Sequence, residues 1–416
     1  MTPTDELPTV ALLGGPTGPL QGLRVVDLSR LVAGNMLTLQ LGDFGADVIK
    51  VEAAGAGDTL REWREAHPDY PQGFDGWWRV YGRNKRSLAL NLRDPQAMEW
   101  LHKLLSTAHV MVESFRPGKL EEMGLDPIQL QKVNPRLVVV RLSGWGQSGP
   151  SRELPGFGSL IEGFCGYAHK HRDSNGNPVL PNLALADMVT GLTGAFAVLA
   201  AVREVEVRGG AGQVVDLSLL EPMLAIMGPE VTNFAATGRT SEPGRKIASP
   251  RGAYRCSDGR WVSLSGSTES MARRVFEAIG QGAAFDDPRY STNAARLTHD
   301  DEVDAMVARF VGGLTQVEAL HRFREKGVTV GPIHDIAELL DDDHVKSRGT
   351  YVRLDVGDGT QPTVMHAVTP RMLGTPGGLH RKAPRLGEHG VELLTELGAS
   401  AAQVQAMSDR QSLTIP

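Results

Sequence analysis

Of the acids in this 416-residue chain, Asp187 stands in the setting best suited to chemistry. It lies between Ala184-Leu185-Ala186 and Met188-Val189, and Gly191 and Gly194 follow in the same apolar stretch. A carboxylate in the first turn of a helix is favoured by the dipole and by free backbone N–H groups, so a capping role would account for its position. The apolar neighbours argue for more, because a desolvated carboxylate needs a partner or a job and such groups gather in active sites. Cys165 and Cys256 are the only cysteines, neither in a Cys-x-x-Cys pair nor beside a recognisable base, and they read as buried small hydrophobes. His169 and His171 come nearest to a metal pair. No carboxylate or thiol interleaves His169-Lys170-His171-Arg172, so that stretch reads as a solvated loop and no metal site is expected.

The elements that must position Asp187 alternate. Leu23–Leu28 reads as a buried strand, Ala33–Phe44 as a helix and Asp47–Glu52 as a second strand. The pattern recurs with a helix over Asp94–Ser106, a strand over His109–Glu113, a helix over Pro127–Val133 and a strand over Leu137–Leu142. Such alternation implies a mostly parallel sheet covered on both faces, an α/β, Rossmann-like large domain with ligands at the carboxyl ends of its strands. A long Ala- and Leu-rich helix over Ala184–Val202 carries Asp187, and Val214–Leu217 is a further strand. Arg251–Cys256 and Trp261–Ser265 form a hairpin in a segment of different texture. The division this suggests is a large domain over residues 1–227, a smaller inserted α+β domain over 228–334, and a return segment over 335–416 that completes the large one.

Neither nucleotide fingerprint is present. The first strand runs into Ser29-Arg30-Leu31-Val32-Ala33-Gly34 with one glycine, and Gly55-Ala56-Gly57-Asp58 follows the second strand without a third glycine. A formal charge of -6 opposes general nucleic-acid binding, which wants a basic surface. Two cysteines fit a reducing cytosol, and the acidic N-terminus is unlike a secretory signal. No apolar run is expected to reach the ~18 residues needed to cross a bilayer, so the localisation expected is cytoplasmic.

Nine segments, in order from Gly22 to Gly398, resemble the class III CoA-transferases, a family that also holds the α-methylacyl-CoA racemases. They are GLRVVDLSRLVAG, LGDFGADVIKVEAAGAGD, NKRSLALNLRDP, VESFRPGKLEEMGL, NPRLVVVRLSGWGQSGP, LADMVTGLTGAFAVLAAV, GAGQVVDLSLLE, GVTVGPIHDIAELLDDDHVKSRG and APRLGEHGVELLTELG. The resemblance implies that Asp187 is the catalytic nucleophile, forming aspartyl mixed anhydrides and an aspartyl-CoA thioester as CoA passes from an acyl-CoA to a free acid. It implies no tightly bound cofactor, with coenzyme A and acyl-CoA as substrates held by Leu31, Val32, Ala33, Leu90, Arg93, Ser114 and Phe115. It also implies a homodimer of interlocked chains.

This chain departs from the family pattern at several positions. Ala53 stands where many relatives carry Arg, Ser114 replaces the usual Asn, Glu122 replaces a basic residue, and Val32 stands where formyl-CoA transferases place Gln. Lys119 or Arg116 could compensate at the phosphates. The alternatives are a 2-methylacyl-CoA racemase and a non-catalytic CoA-binding partner subunit. A racemase needs two opposed acid/base groups, and Phe157 occupies the place of the histidine that racemases supply. A non-catalytic subunit would need no aspartate. The basic stretch at His169–Arg172 could bring positive charge toward a dicarboxylate such as succinate.

Overall fold

The computed structural model describes residues 3–63, 74–173, 175–240, 242–244, 246–357 and 361–416. Thirteen strands are formed among them: β1 (Thr9–Ala11), β2 (Arg24–Leu28), β3 (Asp47–Ala53), β4 (Lys85–Leu90), β5 (Val110–Glu113), β6 (Val138–Ser143), β7 (Val214–Ser218), β8 (Arg251–Arg255), β9 (Trp261–Ser265), β10 (Thr329–Ile333), β11 (Tyr351–Asp355), β12 (Thr363–His366) and β13 (Leu413–Thr414). The chain divides into two compact units. One comprises Leu7–Thr240 with Gly349–Pro416, the other Met1–Glu6 with Ser241–Arg348. The sequence had suggested divisions at 227/228 and 334/335.

In the larger unit β2 to β7 are all parallel and β13 adds an antiparallel edge beside β4, in the order β13-β4-β3-β2-β5-β6-β7. The chain therefore moves outward from β2 through β3 and β4, then crosses to the opposite side for β5, β6 and β7. That reversal makes the carboxyl ends of β2 and β5 the switch point, where open α/β sheets bind ligands. Alternation along β2 sends Val25 and Val26 to opposite faces, each into its own apolar core. Helices α1 (Leu31–Asp43) and α4 (Leu185–Val207) cover one face. The other is covered by α2 (Pro95–Ser106), α5 (Gly390–Glu396) and α6 (Ala401–Asp409). Asp94 caps α2 by accepting the Gln96 N–H at 2.8 Å, with Pro95 at the first position, which needs no N–H partner.

The helix α4 departs from the sequence expectation, being long and apolar enough to cross a membrane by length and composition. Its buried face instead packs on α1 and the sheet. A Cβ at position 191 would stand 2.7 Å from Met36 Cβ and 2.8 Å from Ala33 O, and one at 194 would stand 2.5 Å from Leu37 Cδ1. The two glycines thus let the helices approach backbone to side chain. The opposite face of α4 leaves Leu192, Phe196 and Leu199 exposed. In the smaller unit β10, β9 and β8 make an antiparallel sheet with the expected hairpin, packed under helices around Val262, Leu264, Phe276 and Phe323.

Candidate functional site

Where β2 ends, the chain turns sharply into α1. Leu31 is left-handed at φ 62, a conformation that costs an L-residue about 1–2 kcal/mol and persists only where the surroundings impose it. The surroundings are buried charges. Lys50 lies 3.2 Å from Asp27 and 3.0 Å from Asp58, and its Nζ donates to Ser29 O. Lys85 donates to Asn35 Oδ1 at 2.7 Å and lies 3.4 Å from Asp27. Burial pushes Asp58 upward, but Lys50 and the N–H donors of Leu60 and Leu31 outweigh it and hold the carboxyl at about 2. Burial and the neighbouring Lys50 bring Lys85 down to about 8, against the pull of Asp27 and Asp58.

Asp187 sits in the first turn of α4, half-buried. Its own N–H and the Ala33 N–H in the first turn of α1 both favour the ionised carboxylate, so two helix N-termini face one carboxylate. Gly158, at the start of α3 (Gly158–Phe164), is the third wall. A Cβ there would stand 2.4 Å from Asp187 Oδ2, so only glycine admits the carboxylate at this distance. From the same helix comes Glu162, 2% exposed, which accepts the Ala186 N–H at 3.1 Å. Burial first, then the Glu162 charge, raise Asp187 to about 6, with the two N–H groups opposing. At neutral pH the carboxylate is ionised yet poorly solvated.

A cleft of about 1140 Å³ opens at the switch point. Ser29 and Arg30 from the β2 loop, Leu90 at the end of β4 and Arg93 beyond it, Phe115 and Lys119 beyond β5, and Arg410 and Thr414 from the return segment line it. Arg30 N–H donates to Ser114 Oγ at 3.0 Å, tying the loops after β2 and β5 together. Phe115 is set by Glu113, whose carboxylate accepts its N–H at 2.7 Å and the Arg141 guanidinium at 3.0 Å. Burial lifts Glu113 to about 7 despite both donors. With basic heads at several points of a wall that mixes polar and apolar side chains, the cleft suits a long anion with a planar end. Among the described residues no group of three or more His, Cys, Asp or Glu side chains is gathered as metal ligands would be.

The profile of CoA-transferase family III matches residues 20–390. The chain belongs to that family. It is 34% identical over 401 residues to the beta subunit of succinyl-CoA–L-malate CoA-transferase of Chloroflexus aurantiacus, covering 95% of this chain and 98% of that one. It is 32% identical to succinate–glutarate CoA-transferase of Agrobacterium fabrum, covering 91% and 96%. A CaiB/BaiF family protein from Brucella suis has the same fold, with a TM-score of 0.79 at 28% identity over 92% of this chain and all of that one. The protein is thus a class III CoA-transferase, with a thioester of CoA and a carboxylic acid as its substrates.

The structure sorts the residues singled out in the sequence into two groups on one transferase scaffold. Leu31, Val32 and Ala33 stand at the turn beside Asp187, while Leu90, Arg93 and Phe115 line the cleft and Ser114 braces its mouth. The segment Ser29–Ala33, a short turn running into α1, has the cleft at one end and Asp187 at the other. Glu122, standing where relatives carry a base, pairs with Lys119 at 2.8 Å. The charges of His169–Arg172 are engaged locally: Lys170 pairs with Glu230, and Arg172 donates to Gly176 O. Sequence reasoning passed over Glu162, although an acid in Ser-Leu-Ile-Glu-Gly-Phe carries the signal that marked Asp187. Asp58 and Arg410 left no such signal, since one lies in a glycine turn and the other in a polar tail.

Proposed function

We propose that this enzyme moves CoA from an acyl-CoA, succinyl-CoA being the first donor to try, to a free carboxylic acid by covalent catalysis at Asp187. The observation that carries the reading is the Asp187 carboxylate itself, ionised at neutral pH, walled by Gly158 and facing the Ala33 N–H. Asp187 attacks the thioester carbonyl, forming a mixed anhydride and releasing CoA thiolate. The thiolate attacks the aspartyl carbonyl and expels the donor acid, leaving an aspartyl-CoA thioester. The acceptor carboxylate then attacks that thioester, giving a second anhydride and thiolate, and attack on its acyl carbon yields the new acyl-CoA and restores Asp187. Each step passes through an activated acyl group, so one difficult exchange becomes several easier ones. In the first anhydride the Asp187 oxygen is the bridge, and the donor acid leaves with it. Carboxylate oxygens of ¹⁸O-labelled enzyme should therefore appear in the released acid.

The cleft fits the nucleotide end of CoA, with Arg93 and Lys119 as phosphate partners and Phe115 against the base. Racemisation is the poorer reading, because Phe157 precedes Gly158 where a second acid/base group would have to stand. Replacing Asp187 by Ala separates the readings. Exchange should fall by about 10³-fold or more while CoA still binds, and full retention of activity would refute the nucleophile. We further propose a cytoplasmic homodimer of interlocked chains, supported by the apolar side chains that α4 leaves exposed. Sedimentation on dilution should show no monomer short of unfolding; folded monomers would contradict interlocking.

A further inference from the structure

The left-handed Leu31 is held from both sides by residues the proposed chemistry does not use. Its N–H donates to Asp58 Oδ1 at 3.0 Å, and its C=O accepts from Asn35 Nδ2 at 2.6 Å. The same Asn35 amide donates to Asp58 Oδ2 at 2.8 Å. Its orientation is not arbitrary, because Lys85 Nζ, which can only donate, sits on Asn35 Oδ1 and turns the amide nitrogen toward Asp58. Asn35 and Lys85 are 0% exposed and Asp58 2%, so no water competes for these bonds. Beyond Leu31, Val32 packs with Ala184 and Met188 on either side of Asp187, and the Ala33 carbonyl lies 2.8 Å from where a Cβ at 191, one turn on from Asp187, would stand.

We propose that Asp58, bridged by the Asn35 amide, is the positioning residue that locks the Leu31 turn and so holds the first turn of α1, with its free N–H groups, beside the Asp187 carboxylate. The inference rests on the reading of Asp187 as nucleophile. Its physical content is a lever: Leu31, Val32 and Ala33 form one turn, and relaxing φ of Leu31 toward negative values swings the Ala33 N–H away. Once Asp187 is acylated, a donor fixed at the same place would stabilise the oxyanion that forms when its carbonyl is attacked. Asp58 is faced by Lys50, with Lys85 and Asp27 behind it and Glu52 Oε2 accepting its own N–H. Asp187 is faced by Glu162.

The test is steady-state kinetics against pH for Asn35→Ala and Asp58→Asn, each with and without Leu31→Gly. Asn35→Ala leaves the charges of Asp58 and Lys50 paired, so the variant should fold even if Asp58→Asn does not. We expect kcat to fall about tenfold with KM for the acyl-CoA within about twofold. The acidic limb of the pH profile should move up by about half a unit or more, because Asp187 loses a donor to its ionised form. Glycine adopts positive φ freely, so Asn35→Ala should cost less in the Leu31→Gly background. An unmoved acidic limb together with an equal loss in both backgrounds would overturn the inference and leave Asp58 a scaffold residue. Asp187→Ala is assayed in parallel: full activity there would sink the nucleophile itself, a result distinguishable from any outcome at Asn35.

Discussion

At Asp187 burial and the Glu162 charge push one way while two N–H donors push the other, and the balance leaves the carboxyl at about 6. The acidic limb of kcat/KM should therefore fall near pH 6, and Glu162→Gln should move it downward because a like charge is removed; an upward shift would show that Glu162 stabilises the anion instead. The same balance bears on stability. Folded Asp187 holds its proton to about 6, whereas its ordinary value is 3.8, so between these pH values the folded state binds more protons than the unfolded. Ionisation thus costs stability progressively across that window and fully above it. At about 1.4 kcal/mol per unit the cost is bounded near 3 kcal/mol, and partial exposure reduces it to about 1–2. Asp187→Asn should accordingly melt higher than the parent at pH 8, with the difference fading below pH 4. This trade of stability for a poised group is what an active site would show and a helix cap would not.

Between elements, the approach of α4 to α1 and α3 decides whether Asp187 meets Ala33 and Gly158 at all. Gly158→Ala places a methyl carbon against Asp187 Oδ2, so kcat should collapse with little loss of melting temperature; an active, equally stable variant would contradict the packed geometry. Gly191→Ala drives a methyl into Met36 and the Ala33 carbonyl, and overpacking there should destabilise the fold by about 1–3 kcal/mol in chemical denaturation. The main strands and helices were legible because the core side chains keep their periods: Val25 and Val26 alternate, and the Ala- and Leu-rich stretch of α4 runs unbroken. β4 was not among them. It opens Lys85-Arg86-Ser87, which reads as polar surface, yet all three are buried because Asn35, Asp47 and Glu52 supply partners from neighbouring elements. A pattern of charge tells nothing about burial when the partner lies far along the chain.

Over the whole molecule, the reversal of strand order places a cleft where β2 and β5 end, and the return segment closes its far wall with Arg410 and Thr414. The position of the cleft was legible, since strand ends are where α/β sheets bind ligands; its wall from residues some three hundred positions away was not, because β13 is two residues long and joins antiparallel. Arg93→Ala should weaken CoA binding about tenfold by calorimetry, with a smaller effect on 3′-dephospho-CoA if the guanidinium serves the ribose phosphate; equal losses for both ligands would assign it to the diphosphate. The central claim is that CoA is carried through a covalent bond to Asp187. Enzyme mixed with succinyl-CoA and no acceptor, trapped with hydroxylamine or acidified, and examined by intact-protein and peptide mass spectrometry, tests it most directly. The account predicts a mass increase of one CoA less one water on acidification, mapped to Asp187, and its conversion to a hydroxamate at the same residue by hydroxylamine. An adduct that survives Asp187→Ala, or its absence from enzyme that turns over succinyl-CoA with an acceptor, would contradict it.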